Sequence, residues 1–339
     1  ITVFDIFSGS GIVSRSLKQF GYTVYSNDLE IYSKAINQTF IETNEEDLTS
    51  IFSGIPEKLM DFYKNNNIKY IKSKNKDDSY QQVVDILNSV RDLGKVQTNP
   101  YFSVFYAPKD TKNPNFETER LFYTQENGRF IDAVLDAVFE FKDVKGKAIF
   151  NEKAKNIILA SLFNKMTTNI NTSGTMKGFH EGWGGNGGHA LERILGDIKL
   201  ERIRLLNNAP KGKSFNDYAE NIFINNPDLF VDIIYADPPY NQHQYSANYH
   251  MLTTAMNNRD YQLSQTLTTG NRAGIRKDHN RSDFSKSKKV AKKSTGENIS
   301  EAYLAFDKFI KNTMNKTKYI LISYNQEGVL SQDELIEIL

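Results

Sequence analysis

Thr2-Val-Phe-Asp-Ile-Phe-Ser-Gly-Ser-Gly11, the helical pattern that follows it, and Thr23-Val-Tyr-Ser-Asn-Asp28 decide the fold of this chain. Residues 2–6 are a β-rich run, and 7–11 form a glycine loop. Ile12, Val13, Leu17 and Phe20 then recur at helical spacing, which predicts a helix with those side chains on its apolar face; Gly21 falls where a helix C′ residue belongs. A second strand over 23–26 ends on Asn27-Asp28. Strand, glycine loop, helix, strand and acid make up one mononucleotide-binding half of a doubly wound, mostly parallel α/β sheet. An acid at the tip of the second strand is where such folds hold ribose hydroxyls, so Asp28 points to an adenosine-containing cofactor. The loop is neither the six-residue dinucleotide fingerprint nor a phosphate loop with Gly-Lys-Ser/Thr, so a cofactor without phosphates fits better than NAD or ATP.

The composition bounds what the rest of the chain does. With 339 residues, 39% of them hydrophobic, and 22 Phe and 18 Tyr, the chain can bury a sizeable core. It has no cysteine, which excludes disulfide scaffolds, thiolate zinc sites and any mechanism that needs a cysteine nucleophile. The five histidines show no ligand spacing, so no metal is expected. No signal segment and no 18-residue apolar stretch is visible, giving the expectation of a soluble, cytoplasmic protein without a membrane partner. Ile1 opens straight into a strand and Leu339 sits inside a helical pattern, so both ends are expected to be truncated.

Along the chain, 42–95 read as surface helices, and the aromatic-rich 101–124 as loops and short strands. Two amphipathic helices follow, around 130–139 and 154–163. The segment 164–189, with Gly184-Gly-Asn-Gly-Gly188, is too rich in glycine for a packed element. Short strand patterns occupy 203–224. Phe230-Val-Asp-Ile-Ile-Tyr235 is long enough for a buried parallel strand, and prolines stop it at Ala236-Asp-Pro-Pro-Tyr240. A helix is expected to begin over 245–257, 259–298 is polar and aperiodic, and 299–314 is an amphipathic helix. Tyr319 to Ser323 reads as another buried strand, and Ser331-Gln-Asp-Glu334 has capping-box spacing before a last helix.

Asp237-Pro-Pro-Tyr240 is the sharpest chemical signal. Two prolines at the C-terminal end of a parallel strand hold one carboxylate, one carbonyl and one aromatic face in fixed relation. That set suits a planar base with an amino group: Asp237 and the Pro238 carbonyl accept its two N–H bonds, Pro239 stiffens the turn, and Tyr240 stacks on the ring.

These segments, together with Tyr245-Ser-Ala-Asn-Tyr-His250 and Ile322-Ser-Tyr-Asn-Gln-Glu-Gly328, resemble the successive motifs of DNA adenine methylases, specifically the Dam-like, alpha-arrangement branch of bacterial modification enzymes. The resemblance implies a Rossmann-like methyltransferase sheet with an inserted, mainly helical DNA-recognition region. Its divisions would be 1–95 for the cofactor half, 96–202 for target recognition and 203–339 for the catalytic half. It further implies S-adenosyl-L-methionine as cofactor. Asp5 and the loop residues Phe7, Ser8, Gly9 and Gly11 would hold its methionine portion, Asp28 its ribose, and Asp217 its adenine amine. Double-stranded DNA would be the partner, and a cognate restriction endonuclease could act separately. Two features depart from the pattern: the upstream Lys/Gly-containing cofactor motif is absent, and so are the sheet's final strands.

The near-neutral net charge of +1 hides a local excess. Residues 272–293 carry nine basic side chains against two acids, a net of +7, leaving −6 elsewhere. Arg272, Arg276, Lys277, Arg281, Lys288 and Lys289 are thus candidates for phosphate contacts, the alternative being a solvated loop. In the glycine- and asparagine-rich segment, Asn169, Asn171, Lys177 and Asn186 are candidates for sequence readout, the alternative being a structural Ω-loop. An RNA or protein-amide methyltransferase and a non-catalytic DNA-binding derivative are the rival readings. The separation of Asp5 from Asp237 leaves room for a recognition insert, and the intact Asp-Pro-Pro-Tyr argues against loss of activity.

Overall fold

The computed structural model describes every residue of the chain except Arg91, Asn186, His189, His243, Gln265, His279 and Thr295. The chain divides into two compact units: residues 1–44, 205–248 and 278–339 form the first, and 45–204 with 249–277 the second.

The first unit is a parallel sheet. Strands β1 (Thr2–Asp5), β2 (Thr23–Asn27), β3 (Lys213–Phe215) and β4 (Val231–Ala236) join β7 (Thr317–Ile322) in the order β3-β2-β1-β4-β7, and each neighbouring pair is parallel. This is the doubly wound sheet that the first 28 residues predict. Strand order reverses between β1 and β4, where Asp5 lies opposite Tyr235. Helices α1 (Ile12–Gln19) and α2 (Ile31–Ile41) follow β1 and β2. Phe4, Ile6, Val231, Ile234, Phe284, Phe306 and Phe309 form the core between sheet and helices. A small antiparallel hairpin, β5 (Lys289–Lys292) with β6 (Asn298–Ser300), lies in the stretch that reads as aperiodic.

Two elements depart from the sequence reading. In α1, Gly21 forms the expected Schellman end, its N–H donating to Lys18 O (3.0 Å) while Tyr22 N–H donates to Leu17 O (3.2 Å). The buried face, however, holds Ser14 and Lys18, whereas Ile12 and Phe20 are 65% and 78% exposed. Lys18 reverses the pattern because its ammonium donates to Phe40 O and Thr43 O at the end of α2, where carbonyls lack intrahelical partners. In β7, Tyr319 and Leu321 are 67% and 55% exposed, so this strand is an edge and is only partly buried. Its apolar composition matches that of a buried strand, and only the sheet order shows which side lacks a neighbour.

The chain returns to the sheet at Gly212, where a Cβ would stand 1.6 Å from Val24 O. No other residue fits that approach. Ser331 and Glu334 form the complete capping box of the last helix, Gln332–Ile338.

The second unit is helical. Its helices include Ile55–Asn65, Ser79–Ser89, Gln125–Phe139, Glu152–Thr168 and His250–Met256, and among the described residues it contains no named strand. The first two carry aromatics into its core: Phe62 stacks on Phe141 (3.9 Å between centroids) and Phe52 on Tyr80 (4.4 Å). The compact division falls after Asn44. Around 101–124 the chain makes a short helix, Phe102–Phe105, where strands were expected. The reason lies on the helix Gln125–Phe139. Asp132 accepts the N–H groups of Tyr101, Phe102 and Ser103 (2.9–3.0 Å), and burial lifts its carboxyl to about 6 against those bonds. One turn on, Asp136 pairs with Arg259 at 2.7 Å, both side chains fully buried.

Among the described residues no helix is long and apolar enough to cross a membrane. Removing one partner of the Asp136–Arg259 pair strands a buried charge. Arg259→Ala is therefore expected to destabilise the second unit by about 3–5 kcal/mol, measured as a fall in the urea midpoint at unchanged slope.

Candidate functional site

The glycine loop after β1, the acid after β2 and the proline turn after β4 meet at the reversal of strand order. They share a cavity of about 290 Å³ in the first unit. Its wall includes Asp5, Phe7, Ser8, Gly9, Asp28, Asp217, Asp237 and Pro239, bringing together most of the sequence candidates. Gly11, Pro238 and Tyr240 stand outside that wall.

Gly11 has a structural task. Its φ is 74°, and a Cβ there would lie 2.4 Å from Asn37 Oδ1, so glycine lets α2 close against the loop. Two side chains of α2 brace that loop: Ser33 donates to Gly9 O (2.5 Å) and Asn37 donates to Ser8 Oγ (3.1 Å). Asp28 holds the loop from the other side, accepting the N–H groups of Gly9 (2.7 Å) and Glu30 (2.8 Å). Each oxygen keeps acceptor capacity for a ligand hydroxyl. Burial raises the Asp28 carboxyl above the usual range, against these bonds.

Asn27, 1% exposed, is a residue whose role the sequence does not reveal. Its amide donates to Ile6 O (3.2 Å) and Asp217 O (3.0 Å) and accepts from Asp217 N–H (3.0 Å). It thereby ties the ends of β1 and β2 to the Asp217 loop, across nearly 200 residues of chain. Asp217 itself accepts from Asn225 (2.6 Å) and from Tyr218 N–H (2.8 Å).

The proline turn is braced from β7. Ser323 N–H donates to Ala236 O (2.8 Å), Val329 N–H donates to Tyr240 O (2.7 Å), and the Tyr240 and Tyr324 rings meet edge-on at 6.3 Å. Tyr324 packs in turn on Phe306, and its hydroxyl accepts from Leu330 N–H. The Ile322-to-Gly328 motif is thus the back support of Asp237-Pro-Pro-Tyr240. The Asp237 side chain is exposed at the cavity and Pro238 is buried.

The wall carries six carboxylates, those of Asp5, Asp28, Glu30, Asp217, Glu220 and Asp237, and no lysine or arginine among the described residues. Asp5 is 1% exposed and accepts from Ser14 Oγ (2.6 Å). Burial raises its pKa to about 6 against that bond, with the charges of Asp28 and Asp237 adding to the rise. Such a cavity favours a cationic ligand.

The other candidates separate. Asn171 is fully buried; its amide donates to Leu121 O (2.9 Å) and Gly182 O (3.1 Å) and accepts from Gly184 N–H (3.0 Å). It holds the glycine segment together and offers no edge to a base. Asn169 likewise donates to Arg193 O (2.9 Å). Arg276, 4% exposed, pairs with Asp260 at 2.6 Å, a structural contact where a phosphate contact was expected. Lys289 lies 3.5 Å from Glu334. Arg272 stands over the Phe179 ring at 4.9 Å, Lys177 is half-buried, and Lys277, Arg281 and Lys288 are exposed. Asn186 lies outside the described residues. The basic stretch is divided, 272–277 falling in the second unit and 278–293 in the first.

A parallel sheet with a glycine loop, an acid and a proline turn around one cavity at the reversal of strand order places the first unit in the doubly wound α/β class. Residues 1–335 match the family described as D12 class N6 adenine-specific DNA methyltransferase, and the chain belongs to that family. It is 26% identical over 337 residues to modification methylase StsI of Streptococcus sanguinis and 28% identical over 340 residues to type II methyltransferase M.FokI of Planomicrobium okeanokoites. Each alignment covers 99% of this chain but only 41% and 42% of the relative, so the chain spans about two fifths of their length. Type II methyltransferase M.NlaIII of Neisseria lactamica is 25% identical over 334 residues, covering 98% of this chain and 78% of the relative. No solved structure matches.

Folded protein holds the Asp5 proton up to about pH 6, while the unfolded chain releases it near the ordinary value of 3.8. The ligand-free fold therefore binds more protons in that window and loses stability as pH rises through it. Asp5→Asn is expected to raise the unfolding free energy of ligand-free protein at about pH 7.5, by on the order of 2–3 kcal/mol, and to give no gain at about pH 3.5. Urea titrations at the two pH values test this; an equal gain at both would contradict it.

Proposed function

We propose that the chain is the catalytic part of a site-specific DNA adenine methyltransferase, which transfers a methyl group to the exocyclic N6 amino group of an adenine flipped out of duplex DNA. The observation that carries this reading is the pairing of β1 with β4, which sets the glycine loop and Asp237 on one cavity at the switch point. We further infer that the methyl donor is S-adenosyl-L-methionine, which supplies an electrophilic methyl on a positively charged sulfur. The cavity residues fit a cationic nucleoside. Their six carboxylates face it without a competing lysine or arginine among the described residues, and Asp28 keeps acceptor capacity for ribose hydroxyls.

In this reading Asp5, Phe7, Ser8 and Gly9 hold the methionine portion, with Gly11 shaping the loop, Asp28 the ribose, and Asp217 the adenine amine. Asp237 and the Pro238 carbonyl accept the two N–H bonds of the target amino group. An adenine amino nitrogen is a weak nucleophile because its lone pair is delocalised into the ring. Accepting both hydrogens draws charge back onto nitrogen and aims it, and positioning supplies much of the acceleration. Tyr240, steadied by Tyr324, offers its ring to the flipped base. Arg272, Lys277, Arg281 and Lys288 are the remaining candidates for the DNA backbone, and Lys177 for sequence readout. A cytoplasmic modification enzyme is the matching setting, and a cognate endonuclease would be its separate counterpart.

Asp237→Ala is expected to lower methyl transfer to duplex DNA by at least about a hundredfold, while cofactor affinity measured by calorimetry stays near wild type. An active variant would remove Asp237 from the chemistry. Modification-sensitive sequencing of DNA from cells expressing the protein should report methyl groups on adenine N6 at one recurring sequence. Methylation of transcripts or protein extracts in place of duplex DNA would favour the rival readings.

A further inference from the structure

The turn at 282–285, about forty residues beyond the proline motif, contributes a wall of the cavity that neither motif contains. Ser282, Phe284 and Ser285 line it beside the glycine loop, although they lie in the basic stretch. Phe284 is 1% exposed and meets Phe7 edge-on at 5.1 Å and Phe306 at 4.9 Å. Gln244, four residues past Tyr240, grips the other end: its Oε1 accepts from Ser282 N–H (3.0 Å) and its Nε2 donates to Ser282 O (3.4 Å). The turn is thus locked both to the glycine loop and to the chain leaving the proline motif.

Ser285 stands in this locked turn with 3% of its surface exposed. Its Oγ is buried and has no hydrogen-bond partner. A buried hydroxyl left unpaired is unfavourable, and a ligand in the cavity that Ser285 lines would supply the missing partner. Two other neutral groups of the wall, Ser8 and Asn27, are already engaged. Ser8 Oγ donates to Asn27 O and accepts from Asn37, and the Asn27 amide is spent on Ile6 and Asp217. Ser285 retains both a donor and acceptor capacity in a wall otherwise dominated by carboxylates.

We infer that Ser285 is a binding residue of the methyl-donor site, its Oγ forming a hydrogen bond with a polar atom of bound S-adenosyl-L-methionine. The inference rests on the cofactor reading given above. The donor side is favoured over the target base because the neighbouring Phe284 packs against Phe7 of the glycine loop. The polar groups of the donor persist after methyl transfer, so the bond belongs to binding and leaves the charge of the sulfur to the carboxylates.

Ser285→Ala in the 339-residue chain separates these roles. The Ser285 hydroxyl makes no bond in the ligand-free fold, so the variant should melt at or above the wild-type temperature. Its Kd for S-adenosyl-L-methionine should rise about three- to tenfold by calorimetry, the loss of one hydrogen bond. The Kd for S-adenosyl-L-homocysteine, which lacks the methyl and its charge but keeps every other polar group, should rise by the same factor. Unchanged affinity for both would overturn the inference, as would weaker binding of duplex DNA with unchanged cofactor affinity. A wild-type protein that binds neither compound would remove the cofactor reading itself, and this inference with it; wild-type binding with an indifferent variant removes only the role of Ser285.

Discussion

The parallel pairing of β1 with β4 is the constraint on which the site depends. These strands lie more than 200 residues apart in the chain, and their register sets Asp5 opposite Tyr235. Bonds from Thr2 to Asp232 secure the other end of the pair, where Asp232 is held at about 2 by Lys318 and Thr2. A parallel ladder leaves both loops at the same edge of the sheet, since every strand runs in one direction. A one-residue slip would turn Asp5 to the opposite face and dismantle the cavity.

Around that pair, supports come from every neighbouring element of the unit. Helix α2 braces the glycine loop through Ser33 and Asn37, Asn27 fastens the Asp217 loop, and β7 backs the proline turn through Ser323 and Tyr324. The carboxylates they gather repel one another when the cavity holds no cation, and burial makes that worse at Asp5. The unit therefore spends stability to hold a negative cavity open, as binding sites commonly do.

Much of this was legible in the residues. The glycine loop, Asp28 and the proline turn each declare themselves through local geometry: glycine where φ is positive, proline where a strand must stop. The capping box at Ser331 and the C′ glycine at Gly21 were readable for the same reason. The helical face of α1 was not, because Lys18 is buried by carbonyls of a different helix. Asn171 looked like a base reader and proves to be the staple of its own loop. Its type and setting are the same in either role, and only the positions of Leu121, Gly182 and Gly184 distinguish them.

The sequence by itself determined the class of sheet, the two loops that meet at its cavity and the absence of cysteine from the chain, because these follow from short-range backbone preferences and composition. Tertiary structure alone decided which polar groups are satisfied and which remain open. Satisfaction depends on partners brought from distant parts of the chain. Asn27, Gln244 and Ser285 carry no local signature, and their meaning appears only once the strands, the turn and the helices have closed around a single cavity.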